Sequence, residues 1–338
     1  MTRIGIFSSP LLAAILAISA CSDDPAATTD PASPTSRSDA PTSAAPTTGA
    51  DAPSTTTSTT TAEVPDDPYV GFGVWVDVFD YVPAFAGNPP PVTPADVAEM
   101  AADGARTLYL QTGRDDPRSP GRFADRTRLE AFVRAAHRHE MQVVGWYLPT
   151  HIAPARDRAR VEAMADLEVD GRPLDSIALD IEWIDGEANV ALRNQRLVEL
   201  TEATAELIAP RPVGGIVFPP VVLDVLNTEL WPDFPWRALE PHVDVWLPMA
   251  YWTYREPSSE YRDPRRYTLE NIERTRGHLA DPNVPVHVIG GVNDRATTAE
   301  IQTFADAVAE SDVVGWSLYD WATTTPDARR ALATAAAR

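Results

Sequence analysis

The hydrophobic and polar positions from Tyr69 onward alternate between two patterns. Short runs of β-branched and aromatic residues predict strands, and amphipathic stretches predict helices. The predicted strands lie at 69–79, 106–112, 141–149, 176–183, 212–218, 243–251, 284–292 and 313–321. The predicted helices lie at 93–104, 126–140, 155–169, 189–209, 268–280, 297–311 and 325–337, and the segment after the fifth strand is irregular and rich in proline.

Local signals mark several ends of these helices. Thr93 and Pro94 are a typical helix start, and Gly104 is a typical stop. Thr297 and Glu300 have the spacing of a capping box, in which each side chain satisfies a backbone amide of the other residue. These signals support the same division of the chain as the hydrophobic pattern.

Eight strand–helix units in about 270 residues are the count and length of a (β/α)8 TIM barrel. Alternating strands and helices indicate parallel strands joined by crossover helices, so the fold class is α/β. A doubly wound open sheet is the alternative. No G-x-G-x-x-G sequence follows the first strand, and that motif would be the sign of a dinucleotide-binding sheet. We therefore predict a barrel over residues 66–338.

The first 65 residues have a different composition. Residues 1–20 contain Arg3, an apolar stretch and small residues, which is the layout of a secretory signal peptide. The "ISAC" sequence at 18–21 resembles the lipobox of bacterial lipoproteins, and that resemblance implies a lipid on Cys21. The alternative is an ordinary signal peptide that happens to contain a cysteine.

Residues 21–65 are rich in Ser, Thr, Pro and Ala and cannot bury enough surface to fold. This composition predicts a disordered tether. We expect a lipid-anchored, extracytoplasmic protein of the bacterial cell membrane.

Composition excludes several function classes. The net charge is -21 and no lysine is present. Nucleic acid is therefore not expected as a partner, because phosphate binding requires a basic face. The single cysteine excludes an intrachain disulfide. The sequence contains no P-loop, no G-x-S-x-G and no dense cluster of metal ligands, so neither a cofactor nor a metal is expected.

Active sites of TIM barrels lie at the C-terminal ends of the strands. The residues at or just after the predicted strand ends combine carboxylates with aromatic rings. They are Asp77, Asp80, Gln111, Trp146, Tyr147, His151, Asp180, Glu182, Met249, Tyr251, Trp252, Asn293, Asp294, Trp316, Tyr319 and Asp320. Rings that stack on sugar faces and carboxylates that move protons are typical of a carbohydrate cleft.

The fourth strand carries two carboxylates in alternation. Successive strand residues point to opposite faces, so Asp180 and Glu182 share a face with Ala178. This face should point to the barrel axis, with the two Cα atoms roughly 6–7 Å apart. Two close carboxylates repel, and one of them is expected to hold a proton near neutral pH. A protonated carboxyl beside an ionised one is what glycosidic bond cleavage requires.

Three stretches are similar to glycoside hydrolase family 18, the chitinase-type barrels. "DSIALDIE" (175–182) resembles the D-x-x-D-x-D-x-E motif of strand four, with Ala178 in place of the second Asp. "PMAYW" (248–252) resembles M-x-Y-D, with Trp252 in place of Asp, and "GWSL" (315–318) resembles the strand-eight segment whose Trp lies beneath the sugar.

The resemblance implies retaining hydrolysis assisted by the N-acetyl group of the substrate. Glu182 would be the general acid/base, Asp180 would orient the acetamido group, Tyr251 would bond its oxygen, and Trp316 would stack beneath the sugar. The remaining candidate substrate-binding residues are Asp77, Asp80, Gln111, Trp146, Tyr147, Met249, Trp252 and Asp320.

Other interpretations of these residues stay open. A pair formed by Asp180 with Asp320 or Asp77 is a second possible catalytic arrangement. A non-catalytic, lectin-like carbohydrate-binding lipoprotein is the alternative function, since Ala178 and Trp252 depart from the family motifs. A scaffold protein of the cell envelope would have no sugar-sized cleft.

Overall fold

The computed structural model describes residues 67–292 and 295–336. The predicted signal peptide, Cys21, the tether, Asn293 and Asp294 lie outside the described residues. In the part of the chain that is described, no helix has the length and apolar character needed to cross a membrane.

Eight parallel strands form a closed barrel, which confirms the predicted fold class. Each strand pairs with its neighbours in chain order, and the first strand pairs with the last. The strands are β1 (Gly71–Val76), β2 (Thr107–Gly113), β3 (Gln142–Tyr147), β4 (Ser176–Ile181), β5 (Val213–Val217), β6 (Val245–Ala250), β7 (His287–Val292) and β8 (Gly315–Tyr319).

The helices follow the strands as the pattern predicted, with two short helices added after β1 and one after β5. They are α1 (Val78–Tyr81), α2 (Pro83–Ala86), α3 (Val97–Ala102), α4 (Arg126–Arg138), α5 (Pro154–Ala165), α6 (Val190–Ile208), α7 (Trp236–Leu239), α8 (Pro264–Leu279), α9 (Thr298–Glu310) and α10 (Pro326–Ala336). Short helical turns occupy Val222–Leu226, Glu240–His242, Trp252–Tyr254 and Glu260–Arg262.

Helix ends agree with the local signals in one case and differ in two. The capping box of Thr297 and Glu300 is present at the start of α9. Helix α3 begins later than predicted, because the Thr93 backbone amide and hydroxyl both donate to Asp96 and hold the chain in a turn. The predicted helix 155–169 ends at Ala165, and its last residues form a two-stranded hairpin of Glu168–Val169 with Arg172–Pro173.

The barrel interior is filled by aromatic and polar side chains below the C-terminal mouth. The Trp75 ring stacks on Tyr109, with centroids 4.3 Å apart. Its indole nitrogen donates to the Ser317 hydroxyl at 2.8 Å, and His287 Nε2 lies 3.0 Å from the same hydroxyl. Gly73 makes room for this layer, since a Cβ there would lie 2.4 Å from the Tyr109 ring. Burial lowers the pKa of His287 to about 4, so the layer is neutral.

Candidate active site

A cavity of about 350 Å³ opens above this layer, at the C-terminal ends of the strands. Its position is where the barrel fold places active sites. Ten of the predicted site residues line the cavity: Asp77, Asp80, Gln111, Trp146, Asp180, Glu182, Met249, Tyr251, Tyr319 and Asp320. The fold therefore brings together side chains from six separate segments of the sequence.

The carboxylates of β4 lie on the cavity wall as the strand alternation predicted. Asp180 and Glu182 line the cavity, whereas Ile181 between them is fully buried in the core on the other face of the strand. The exposed fractions of Asp180 and Glu182 are only 7% and 8%. The Oδ1 atom of Asp180 is buried and has no hydrogen-bond partner among the described protein atoms. A buried acceptor without a donor destabilises the folded protein when the group is ionised, which favours the protonated form of Asp180.

The two carboxyl groups have raised proton affinities. Burial raises the pKa of Asp180 well above its usual range, and the neighbouring Glu182 raises it further. Burial also raises the pKa of Glu182 to about 7, against a smaller lowering by Arg114. The pair therefore retains a proton near neutral pH, and one carboxyl group is available as an acid.

Tyr251 lies at the end of β6, next to the β4 pair. Its side chain is 7% exposed and lines the cavity. Burial, together with the nearby charges of Glu182 and Asp180, raises the pKa of its hydroxyl well above the usual value. The hydroxyl therefore stays protonated and is available as a hydrogen-bond donor to a ligand.

A second group of carboxylates lies where β1 and β8 end. One oxygen atom from each of Asp77, Asp80 and Asp320 lies within 4.8 Å of the others. Asp77 and Asp80 cap α1 reciprocally, and the Tyr319 hydroxyl donates to Asp77 Oδ2. We call these three residues the β1–β8 carboxyl cluster. Sequence analysis found no such group because Asp320 lies far from the other two residues along the chain.

Burial also raises the pKa values of Asp77 and Asp80 in this cluster. For Asp77, burial is opposed by hydrogen bonds from Tyr319 and from the Phe79 amide, so its pKa rises less far. For Asp80, burial is reinforced by the charges of Asp77 and Asp320, and its pKa lies well above the usual range. The oxygen spacing could hold a metal ion. Because several of these oxygens already accept backbone or hydroxyl donors, the full shell of six to eight oxygens that Ca²⁺ prefers is not assembled by these residues alone.

Aromatic rings complete the walls of the cavity. Trp75, Trp146 and Tyr319 come from strands, and Phe79 and Phe85 from the segment after β1. The Trp75 and Trp146 rings meet edge to face at 5.8 Å, and Tyr319 lies 6.0 Å from Tyr251. Apolar ring faces beside carboxyl groups give the cavity the mixed character of a sugar-binding site.

Four of the described candidate residues do not line the cavity: Tyr147, His151, Trp252 and Trp316. Trp316 is next to Ser317, whose hydroxyl bonds to interior groups, so Trp316 points outward and packs against the core instead. This placement corrects the prediction that Trp316 lies beneath a bound sugar. Tyr147 also faces outward, and its hydroxyl donates to Asp157 at 2.6 Å. Trp252 is fully buried against Phe304 of α9, so it does not occupy a position from which it could contact a ligand.

Several cavity residues were missed or given too little weight. Arg114, in the loop after β2, lines the cavity and lies over the Phe79 ring at 5.4 Å. Loop residues carry no periodic signal, so nothing in the pattern indicated it. Trp75 could have been found, because it shares the face of β1 that leads to Asp77. Because Trp75 belongs to the top of the polar layer and lines the cavity, it is a better candidate than Trp316 for contact with a sugar.

No family model matches the chain, and no curated protein matches it. Several solved structures, in contrast, are similar to this chain in fold. A GH5_18 protein from Streptomyces cattleya in complex with GlcNAc has a TM-score of 0.58 at 13% identity, and the match covers 80% of each chain. The endo-β-1,4-mannanase of Thermotoga petrophila has a TM-score of 0.56 at 11% identity, covering 75% of this chain and 68% of that one.

A third similar structure is the exo-β-1,4-mannosidase of Opitutaceae bacterium strain TAV5, with a TM-score of 0.56 at 15% identity. The match covers 74% of this chain but only 52% of that longer protein. The shared feature is the fold. This chain is a TIM barrel. The three similar structures do not single out family 18, which the sequence motifs had suggested.

Proposed function

We propose that the protein is a glycoside hydrolase, anchored to the outer face of the cell membrane by a lipid on Cys21, that cuts a glycan containing N-acetylated sugars. The observation that carries this proposal is the placement of Asp180 and Glu182, buried side by side in an aromatic-walled cavity at the catalytic end of the barrel. Barrels similar to this one include enzymes named for hydrolysis of polysaccharides.

In the proposed reaction, the Glu182 carboxyl gives its proton to the glycosidic oxygen as the bond from that oxygen to the anomeric carbon breaks. The acetamido oxygen of the substrate bonds to the anomeric carbon from the opposite side. Asp180 accepts a hydrogen bond from the acetamido N–H and balances the positive charge, and the Tyr251 hydroxyl donates to the acetamido oxygen. The Glu182 carboxylate then takes a proton from water, and the water oxygen replaces the acetamido oxygen. The two displacements together retain the anomeric configuration.

The electrostatics of Glu182 support its role as acid and base. A pKa of about 7 allows Glu182 to be protonated before cleavage and ionised after it, within one pH range. Burial raises the pKa of Asp180 well above its usual range, so the positive charge of the intermediate is what would favour its ionised form. A second carboxylate for a mechanism without substrate participation would have to come from Asp77 or Asp320, across the cavity from β4.

The test is a hydrolysis screen against N-acetylated and plain glycans with wild type and six variants, at Glu182, Asp180, Tyr251, Asp175, Asp77 and Asp320. We expect Glu182→Gln to keep the fold and lower turnover by about 10²–10⁴-fold, the usual contribution of acid–base catalysis. Asp180→Asn should also impair turnover, and Tyr251→Phe should have a smaller effect, because it removes one hydrogen bond. Asp175→Asn is the matched control, since Asp175 bonds to His137 and the Val143 amide outside the cavity.

Two results would contradict the proposal. If Glu182→Gln hydrolyses normally while Asp320→Asn or Asp77→Asn is inactive, a different carboxyl pair performs the reaction. If no glycan is cut but oligosaccharides bind, the protein is a lectin-like lipoprotein. Ala178, which replaces a family carboxylate directly below Asp180 on the same strand face, is the feature that favours this second function.

A further inference from the structure

Arg114 is the only cationic residue among the described residues that line the cavity. It follows the end of β2, and the central carbon of its guanidinium lies 5.4 Å from the centre of the Phe79 ring. The side chain is half-buried, and its guanidinium forms no hydrogen bond or ion pair with any residue that the structure describes. A guanidinium has only N–H donors, so these donors are available to a ligand in the cavity.

The acids next to Arg114 in the sequence are paired with other arginines. Asp115 accepts a hydrogen bond from Arg156 at 2.6 Å. Asp116 accepts two hydrogen bonds from Arg118, at 2.9 and 2.8 Å. Neither acid is among the described residues that line the cavity. The loop therefore directs its two carboxylates away from Arg114, although both lie close enough along the chain to be its partners.

The carboxyl groups of the cavity walls are within electrostatic range of Arg114 but are not bonded to it. Arg114 lowers the pKa values of Asp77, Asp180 and Glu182, and burial raises each of them more strongly. With a pKa of about 7 for Glu182 and a pKa well above the usual range for Asp180, the β4 pair is largely protonated at mildly acidic pH. Asp77 already accepts from the Phe79 amide and the Tyr319 hydroxyl. The charge of Arg114 is therefore not neutralised by an ion pair.

We infer that Arg114 binds a carboxylate group of the substrate, so that the glycan contains an acidic sugar. A guanidinium presents two parallel N–H donors that match the two oxygens of a carboxylate, and such charged hydrogen bonds are roughly twice as strong as neutral ones. The Phe79 ring holds the guanidinium in place and leaves its donors available. A phosphate group fits less well, because its charge of about -1.5 to -2 would face the acids of the β1–β8 carboxyl cluster.

This inference rests on the proposed function and specifies its substrate. In the proposed reaction Asp180 and Tyr251 hold the acetamido group at C2 of the cleaved sugar. The carboxylate therefore occupies another position, on this sugar or on its neighbour. Arg114 contacts Phe79, which with Phe85 forms the aromatic wall after β1, so a sugar that packs on this wall places its acidic group next to the guanidinium.

The test is a binding measurement by calorimetry at pH 5.5 with three N-acetylated, β-1,4-linked tetrasaccharides. One is neutral, one has a carboxylate at C6 of every second sugar, and one has a carboxyethyl ether at C3 of every second sugar. The titrations use the Glu182→Gln variant, so that the oligosaccharides are not cut. We expect at least one acidic tetrasaccharide to bind about tenfold or more tightly than the neutral one, the ratio typical of a hydrogen bond to a charged group. The acidic tetrasaccharide that binds more tightly identifies the position of the carboxylate.

Adding Arg114→Gln should abolish the preference, so that the acidic and neutral tetrasaccharides bind within about twofold of each other. Arg114→Lys keeps the charge but loses the two parallel donors, and it should retain only part of the preference. Circular dichroism checks the fold of both variants. Arg134→Gln is the matched control, because Arg134 is an exposed arginine on α4 that is bonded to Asp170 outside the cavity. This variant should keep the full preference.

Hydrolysis of the same three tetrasaccharides by the wild type is measured separately. A retained preference for an acidic tetrasaccharide, with no hydrolysis of any of them, would count against the proposed function and leave the carboxylate site standing. Hydrolysis that depends on Glu182, without any preference for an acidic tetrasaccharide, would overturn this inference alone.

Three binding results would overturn the inference. The first is that the neutral tetrasaccharide binds as tightly as both acidic ones, or that none binds. The second is a preference for an acidic tetrasaccharide that survives Arg114→Gln. The third is an equal loss of affinity for all three tetrasaccharides in Arg114→Gln, which would mean that Arg114 donates to a neutral group that the three share.

Discussion

Replacing Glu182 with Gln should make the protein more stable at alkaline pH while it removes activity. Burial raises the pKa of Glu182 from 4.5 to about 7. Below pH 4.5 the carboxyl group is protonated in both the folded and the unfolded protein, so its ionisation costs nothing. Between pH 4.5 and about 7 the unfolded protein has released this proton, whereas the folded protein still holds it. The free energy of unfolding therefore decreases over this range and levels off above about pH 7, where both states are ionised.

The size of the effect follows from the shift. Each pKa unit corresponds to 1.36 kcal/mol, so the penalty reaches about 3 kcal/mol at pH 8. Gln has nearly the same shape and does not ionise. Without the charge of Glu182, Asp180 also ionises more easily in the folded protein, and this adds to the stability of the variant above the pH at which carboxyl groups ionise. We expect Glu182→Gln and wild type to have similar stability at pH 4, and the variant to be more stable by about 1–3 kcal/mol at pH 8.

Urea unfolding at pH 4, 5, 6, 7 and 8, followed by tryptophan fluorescence, measures this difference. Glu206→Gln is the control, because Glu206 is exposed on α6 and its replacement should leave the pH profile of stability unchanged. Two parallel profiles for wild type and Glu182→Gln would refute the reasoning, since they would mean that Glu182 ionises as easily in the folded protein as in the unfolded one. A variant that is less stable at every pH would show that Glu182 is a structural hydrogen-bonding group.

Two further predictions concern the aromatic walls and the membrane anchor. Trp75→Phe should weaken oligosaccharide binding because Trp75 lines the cavity, whereas Trp316→Phe should leave binding unchanged and affect only thermal stability. Titration of both variants with the same oligosaccharide measures the difference. An equal loss of affinity in both variants would contradict the outward placement of Trp316. Cys21→Ser should release the protein from the membrane fraction or block its processing, and unchanged partition and processing on fractionation would count against lipidation.

The barrel and the β4 pair were predictable because both depend on local periodicity. Eight alternating units determine the fold class, and the two-residue repeat of a strand places Asp180 and Glu182 on one face. The same rule, applied to β8, would have corrected the family resemblance. Ser317 and Tyr319 share a face with each other, so Trp316 between them had to point away from the axis.

The β1–β8 carboxyl cluster could not be predicted as a unit. Asp77 and Asp80 were candidates because they follow the first strand, and Asp320 because it follows the last. Their convergence depends on the closure of the barrel, in which the parallel register pairs Gly73 with Ser317. Arg114 lies in an irregular loop, and no periodicity indicates where its side chain points. Loops of this kind position side chains by their tertiary contacts, which a single sequence does not reveal.

The fold of this chain does not determine its reaction, but the positions of the carboxyl groups in the cavity limit the possible mechanisms of hydrolysis. In retaining hydrolysis by two carboxyl groups, acid and nucleophile approach the sugar from different sides, about 5–5.5 Å apart. The described part of β7 (His287–Val292) supplies no carboxylate to the cavity. Asp180 and Glu182 project from the same face of a single strand and reach the sugar from one side. The opposite side is left either to the acetamido group of the substrate or to Asp77 and Asp320.

The acetamido route requires an N-acetyl group at the cleaved sugar, and the other route does not. Removing that single acetyl group from an otherwise cleavable glycan should therefore stop hydrolysis, and continued cleavage would assign the nucleophile to the carboxyl groups across the cavity.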